Sequence, residues 1–75
     1  MKYPEAQERF AALGPDLRVP AAVAPLIERR YIELAAPGGA GKKRLALAWV
    51  ATYRAASPRE IAIDDRSGEI VRDRS

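Results

Sequence analysis

Glu60-Ile61-Ala62-Ile63-Asp64-Asp65-Arg66-Ser67-Gly68-Glu69-Ile70-Val71-Arg72 sets two short apolar runs on either side of a polar, glycine-containing turn. Ile61 and Ile63 alternate with Ala62, the period-two repeat of a strand. Ile70 and Val71 carry a second strand out. Between them, Asp65-Arg66-Ser67-Gly68 has Asp at the first turn position and Gly at the last, where a left-handed backbone costs least. The stretch reads as a β-hairpin.

Working back from the hairpin, Ala55-Ala56-Ser57-Pro58 breaks the chain, since Pro58 cannot extend a ladder. Arg44 to Arg54 predicts the longest strand. Leu45, Leu47, Trp49, Ala51 and Tyr53 share one of its faces; Ala46, Ala48, Val50 and Thr52 share the other. Pro37-Gly38-Gly39-Ala40-Gly41 is a loop, because so many glycines cost too much entropy elsewhere. Arg30 to Ala36 alternates again, with Ile32 and Leu34 on one face and Tyr31, Glu33 and Ala35 on the other.

The first third of the chain is helical in pattern. Pro4 to Leu13 places Tyr3, Ala6, Phe10 and Leu13 on one side at three- and four-residue spacings. Pro4 and Glu5 suit a first turn, and Gly14-Pro15 predicts the stop. Asp16 to Arg30 contains Pro20 and Pro25, which cannot both lie inside one regular helix. Val23, Leu26 and Ile27 predict a short second helix over roughly half of that span. Asp73-Arg74-Ser75 reads as a frayed tail. The expected fold is α+β: an N-terminal helix and a short second helix packed on a four-stranded antiparallel meander sheet, in one domain spanning 1–75.

A chain of 75 residues buries only a modest core. Cysteine and histidine are both absent, which removes disulfides, zinc fingers and thiol chemistry as staples and leaves a partner subunit. Met1-Lys2-Tyr3-Pro4-Glu5 is charged from the start, no apolar h-region follows, and no run reaches membrane-spanning length. The expectation is a cytoplasmic chain with no membrane partner. With 13 Lys and Arg against 10 Asp and Glu, the net charge is +3. Acidic residues are interspersed, so no arm of like charge forms.

Each motif that invites chemistry has a plainer reading. Gly38-Gly39-Ala40-Gly41-Lys42-Lys43 superficially resembles a phosphate loop, but that motif needs Gly seven residues before its Ser or Thr. Here position 36 is Ala, position 43 is Lys, and a strand pattern follows instead of a helix. Asp64, Asp65 and Glu69 are close in sequence, yet Arg66 occupies an alternate ligand position of a calcium loop. The plainer reading is a turn in which Asp65 accepts backbone hydrogen bonds. Ser57, Ser67 and Ser75 have no histidine to act as base. No catalytic, cofactor or metal residues are expected, and the chain reads as not an enzyme.

Two surfaces remain as candidates. The small apolar strip Ala46, Ala48, Val50 and Thr52 lacks the charges of a solvated sheet face, and so suits a protein partner or a second copy in a homodimer. The alternative is nucleic-acid binding through Lys42, Lys43, Arg44 and Arg54. Arg29, Arg30 and Arg59 would add to that patch, with Trp49, Tyr53 or Tyr31 stacking on bases where exposed.

Ile63-Asp64-Asp65-Arg66-Ser67-Gly68-Glu69-Ile70-Val71 resembles the closing hairpin of PepSY domains: an aliphatic, Asp, two variable residues, Ser or Thr, Gly, Glu or Lys, then two aliphatics. The strand Ala48 to Arg54 is similar to that family's penultimate strand. The resemblance covers the last third of the chain; Asp16 to Ile27 has no counterpart in it. It implies a non-catalytic module that binds proteins or inhibits peptidases, and it assigns no catalytic residue. Together these readings lead to a protein-interaction or regulatory module.

Overall fold

The computed structural model describes residues 1–17, 24–35, 41–54 and 58–74. One helix, α1 (Tyr3–Leu17), precedes four strands: β1 (Leu26–Ala35), β2 (Lys43–Tyr53), β3 (Arg59–Asp64) and β4 (Ile70–Arg74). The strands form a single antiparallel meander in the order β1-β2-β3-β4. The α+β class and the meander are as expected from the hydrophobic periods.

The helix runs beyond its expected end. Gly14 and Pro15 lie within α1, which continues to Leu17. The reason is tertiary. Ala6, Phe10, Leu13 and Leu17 form one stripe, and Leu17 reaches the same buried cluster as Phe10. The guanidinium of Arg59 also donates to the Leu17 carbonyl at 2.6 Å. That supplies the cation that the last turn of α1 lacks in its own sequence. At the other end, the Lys2 carbonyl accepts from the Ala6 N–H, and the Glu5 carboxylate faces the Lys2 N–H.

Leu26 and Ile27 belong to β1 instead of a second helix. Pro25 stands just before that strand, where its fixed φ and missing N–H cost nothing. Among the described residues α1 is the sole helix. Pro20, Val23, Ala36, positions 37–40 of the glycine loop and the Ala55-Ala56-Ser57 break lie outside the described residues. Asp73 and Arg74, expected as a frayed tail, are strand residues, and Asp73 is held by a two-pronged ion pair with Arg59 at 2.7 and 3.0 Å.

Each face of the sheet carries its own core. On the helix side, Ala6, Phe10 and Leu17 pack on Trp49, Ala51, Tyr53, Ile61 and Ile63. On the other side Ile32, Ala48, Val50 and Ala62 form a second cluster, against which Leu34 and Val71 pack. This face is roofed by long charged side chains. Arg30 and Arg72 approach the Glu60 carboxylate at 3.8 and 3.6 Å, and Arg72 also donates to the Glu33 carbonyl of β1. For a β4 side chain to reach β1, the sheet must coil around this face. Alanines at 48 and 62 are what such tight curvature leaves room for.

Candidate functional site

β1 and β2 stay paired over their full length, from Leu26↔Thr52 to Ala35↔Lys43. β3 pairs only with Ala48 to Tyr53 of β2. The far half of the β1–β2 hairpin therefore projects past β3 as a two-stranded ribbon. On the helix side of this ribbon stand Tyr31, 67% exposed, and Leu45, 66% exposed. Tyr31 lies opposite the half-buried Leu47, and Leu45 lies opposite Glu33, so Tyr31 and Leu45 are diagonal neighbours on one face.

The base of this surface is fixed by Trp49, 6% exposed. Its indole N–H donates to Asp65 Oδ1 at 2.9 Å and to the Met1 carbonyl at 3.2 Å. The Met1 amino group donates to the Asp65 carbonyl at 2.7 Å. Tyr3 meets the indole edge to face at 5.9 Å, and the Arg29 guanidinium lies 5.4 Å from the ring centroid. An aromatic and cationic shelf thus runs from Tyr3 through Arg29 to Tyr31.

The basic residues named from sequence do not converge. Lys42, Lys43 and Arg44 are exposed at the ribbon end, where Lys43 pairs with Glu33 at 3.6 Å. Arg54 is at the other end of β2, roughly 33 Å from Arg44 at about 3.3 Å per residue. Arg29 is engaged with Trp49, Arg30 with Glu60, and Arg59 with Asp73 and Leu17. Trp49 and Tyr53 are buried, which leaves Tyr31 as the aromatic of that group that is free to stack.

The strip named as a protein interface is not a surface. Ala46, Ala48 and Val50 are buried, and Thr52 is half-buried. A molecule approaching that face meets Arg30, Glu60 and Arg72 first. The exposed apolar side chain of β2, Leu45, lies on the opposite face and nearer the ribbon end. Leu45 was grouped with Trp49 because both fall on odd positions. Periodicity gives a residue's face but not whether another element reaches it. The signal for the overhang is length: the strand pattern over 44–54 is about twice that over 60–64.

The carboxylates divide their work. Asp64, not Asp65, accepts the turn hydrogen bonds, from the N–H groups of Arg66 and Ser67 at 2.8 Å each. The Ser67 N–H first, then that of Arg66, holds the Asp64 carboxyl below its ordinary value. The turn begins one residue earlier than expected because Asp64 and Glu69 close it, with the Asp64 N–H donating to the Glu69 carbonyl at 2.8 Å. Gly68 takes φ +72° there, and Arg9 of α1 lies against it. Among the described residues, no three His, Cys, Asp or Glu side chains converge as metal ligands, and no helix is long and apolar enough to cross a membrane.

Comparison with known proteins finds no family model, no curated protein and no solved structure that matches this chain.

Proposed function

We propose that this chain is a non-enzymatic protein-contact module and that it makes contact through the projecting β1–β2 ribbon, on the face bearing Tyr31 and Leu45. The observation that carries the reading is the pair of large apolar side chains, each about two-thirds exposed, on a paired and therefore rigid ladder. Covering such side chains returns about 25 cal/mol per Å² of apolar surface. Tyr and Arg, both present on this shelf, are enriched in interface cores. Glu33 and Lys43 supply a charged rim.

Nucleic-acid binding is the second reading, favoured by the three exposed cations at Lys42, Lys43 and Arg44 toward the ribbon end and by the exposed Tyr31 on the same hairpin. The Glu33–Lys43 ion pair and the distance to Arg54 weaken it. A photoreactive benzoylphenylalanine at position 31 or 45, in the full chain expressed in cells, separates the two. Discrete protein adducts from 31 and 45, and none from the exposed turn position 66, are expected. Nuclease-sensitive adducts, or no adduct from 31 and 45, overturn the reading.

A further inference from the structure

The two edges of the sheet are treated differently. β4 is five residues long and is irregular between Ala62 and Ile63 in its pairing with β3. Those are the usual devices that stop an edge from pairing. β1 is ten residues long, with neither an irregularity nor a proline inside it. Its outward backbone groups can be assigned. The Asp65 N–H donates to the Leu47 carbonyl, so Leu47, Trp49 and Ala51 point their backbone groups toward β3. Ala46, Ala48 and Val50 then point toward β1, where they meet Ile32, Arg30 and Glu28. The outward groups of β1 are therefore those of Ile27, Arg29, Tyr31, Glu33 and Ala35. The Glu33 carbonyl, accepting from Arg72 of β4, agrees with that assignment.

From this edge we infer that the partner of the chain is a second copy of itself, with β1 pairing antiparallel to β1 of the other copy in the register that sets Tyr31 opposite Tyr31. The inference rests on the protein-contact reading above. Only registers with an even residue sum set outward groups opposite outward groups. In the Tyr31-centred register, Arg29 faces Glu33 twice and Ile27 faces Ala35 twice, so all five outward residues are used. Sliding one step toward the N-terminus sets Arg30 opposite Arg30, a like-charge pair. Sliding one step toward the C-terminus sets Arg29 opposite Ala35 and leaves Glu33 opposite Tyr31. Charge complementarity thus selects one register. Arg72 does not block it, because a carbonyl has two lone pairs and Glu33 can accept from both Arg72 and the other copy's Arg29. The pairing runs the helix faces together and brings the two Tyr31 rings side by side.

The chain has no cysteine, so single-cysteine variants report the register directly. In a hydrogen-bonded antiparallel pair the opposed Cα atoms are about 5.5 Å apart, inside the disulfide range of about 4.4–6.8 Å. Tyr31→Cys should oxidise to a disulfide dimer. Arg29→Cys and Glu33→Cys should not, since each meets its own copy roughly 13 Å along the ladder. Independently, Glu33→Arg should raise the dimer dissociation constant roughly tenfold, and adding Arg29→Glu should restore it, with circular dichroism confirming the fold of each variant. Equal oxidation at 29, 31 and 33, or no rescue by the double swap, overturns the inference. Photo-adducts from position 31 whose mass exceeds one chain by something other than a second copy overturn it too, and leave the protein-contact reading standing.

Discussion

Asp64 and Asp65 are neighbours with separate tasks: one builds a turn, the other receives the indole of Trp49 and the amino group of Met1. Their types were legible in the sequence; their assignment was not, because a shift of one residue in the turn exchanges them. Stability should follow pH accordingly. The Asp64 carboxyl, through the Ser67 and Arg66 N–H groups, and the Asp73 carboxyl, through its hydrogen bond from Arg59, both titrate below their ordinary value. Their stabilisation is complete above the ordinary carboxylate range and is lost as pH falls through the lowered values. Burial raises the Tyr53 hydroxyl, against a smaller opposing pull from Arg59. Its contribution is complete below the ordinary tyrosine value and is lost as pH rises through the raised one. Melting temperature should therefore plateau near neutrality and fall on both sides. Asp64→Asn should flatten the acid limb, and Tyr53→Phe the alkaline limb; limbs unchanged in these variants contradict the assignments. Trp49→Phe should cost about 1–2 kcal/mol in urea unfolding, because Asp65 loses a partly buried donor.

At the scale of elements, α1 and β1 both outrun their sequence signals. Gly14-Pro15 is a fair stop in an isolated helix, but Leu17 reaches the Phe10 cluster and Arg59 holds the last carbonyl. Arg59 comes from 42 residues away, and the cluster draws Trp49, Ala51, Tyr53, Ile61 and Ile63 from β2 and β3, beyond the reach of any local pattern. Leu17→Ala should cost about 2 kcal/mol or more, and a loss within a few tenths of zero would mean the last turn adds nothing. Leu26 and Ile27 fit helical spacing with Val23, yet adjacent apolar residues serve a strand equally well once β2 is there to pair with. The strand period is legible over 46–53 and 60–64 because side chains there alternate between two covered faces; β2 itself begins at Lys43 and ends at Tyr53, one residue before the expected Arg54. The alanine strip was legible as small and apolar; its roof was not, since Arg72 reaches it only through the coil of the whole sheet. Ala48→Leu should destabilise by about 1–3 kcal/mol, as the extra volume meets Arg30 and Glu60 instead of solvent.

At the scale of the molecule, the described residues form one guarded sheet edge and one, β1, with no further strand beside it. Among them, four strands, one helix and two thin clusters leave the β1–β2 ribbon with an exposed face and a row of outward backbone groups. The proposed self-pairing would satisfy both at once, and would supply the partner subunit that a small chain without cysteine or histidine leans on. The most direct measurement is amide hydrogen exchange of the native chain across a range of protein concentrations. Glu28, Arg30 and Ile32 bond to β2 and serve as internal references. The amides of Ile27, Arg29, Tyr31 and Glu33 should become protected as concentration rises, with Tyr31 at the centre of the protected row. If those four exchange freely at every concentration while the references stay protected, β1 is an unpaired edge in solution and the chain does not self-associate through it.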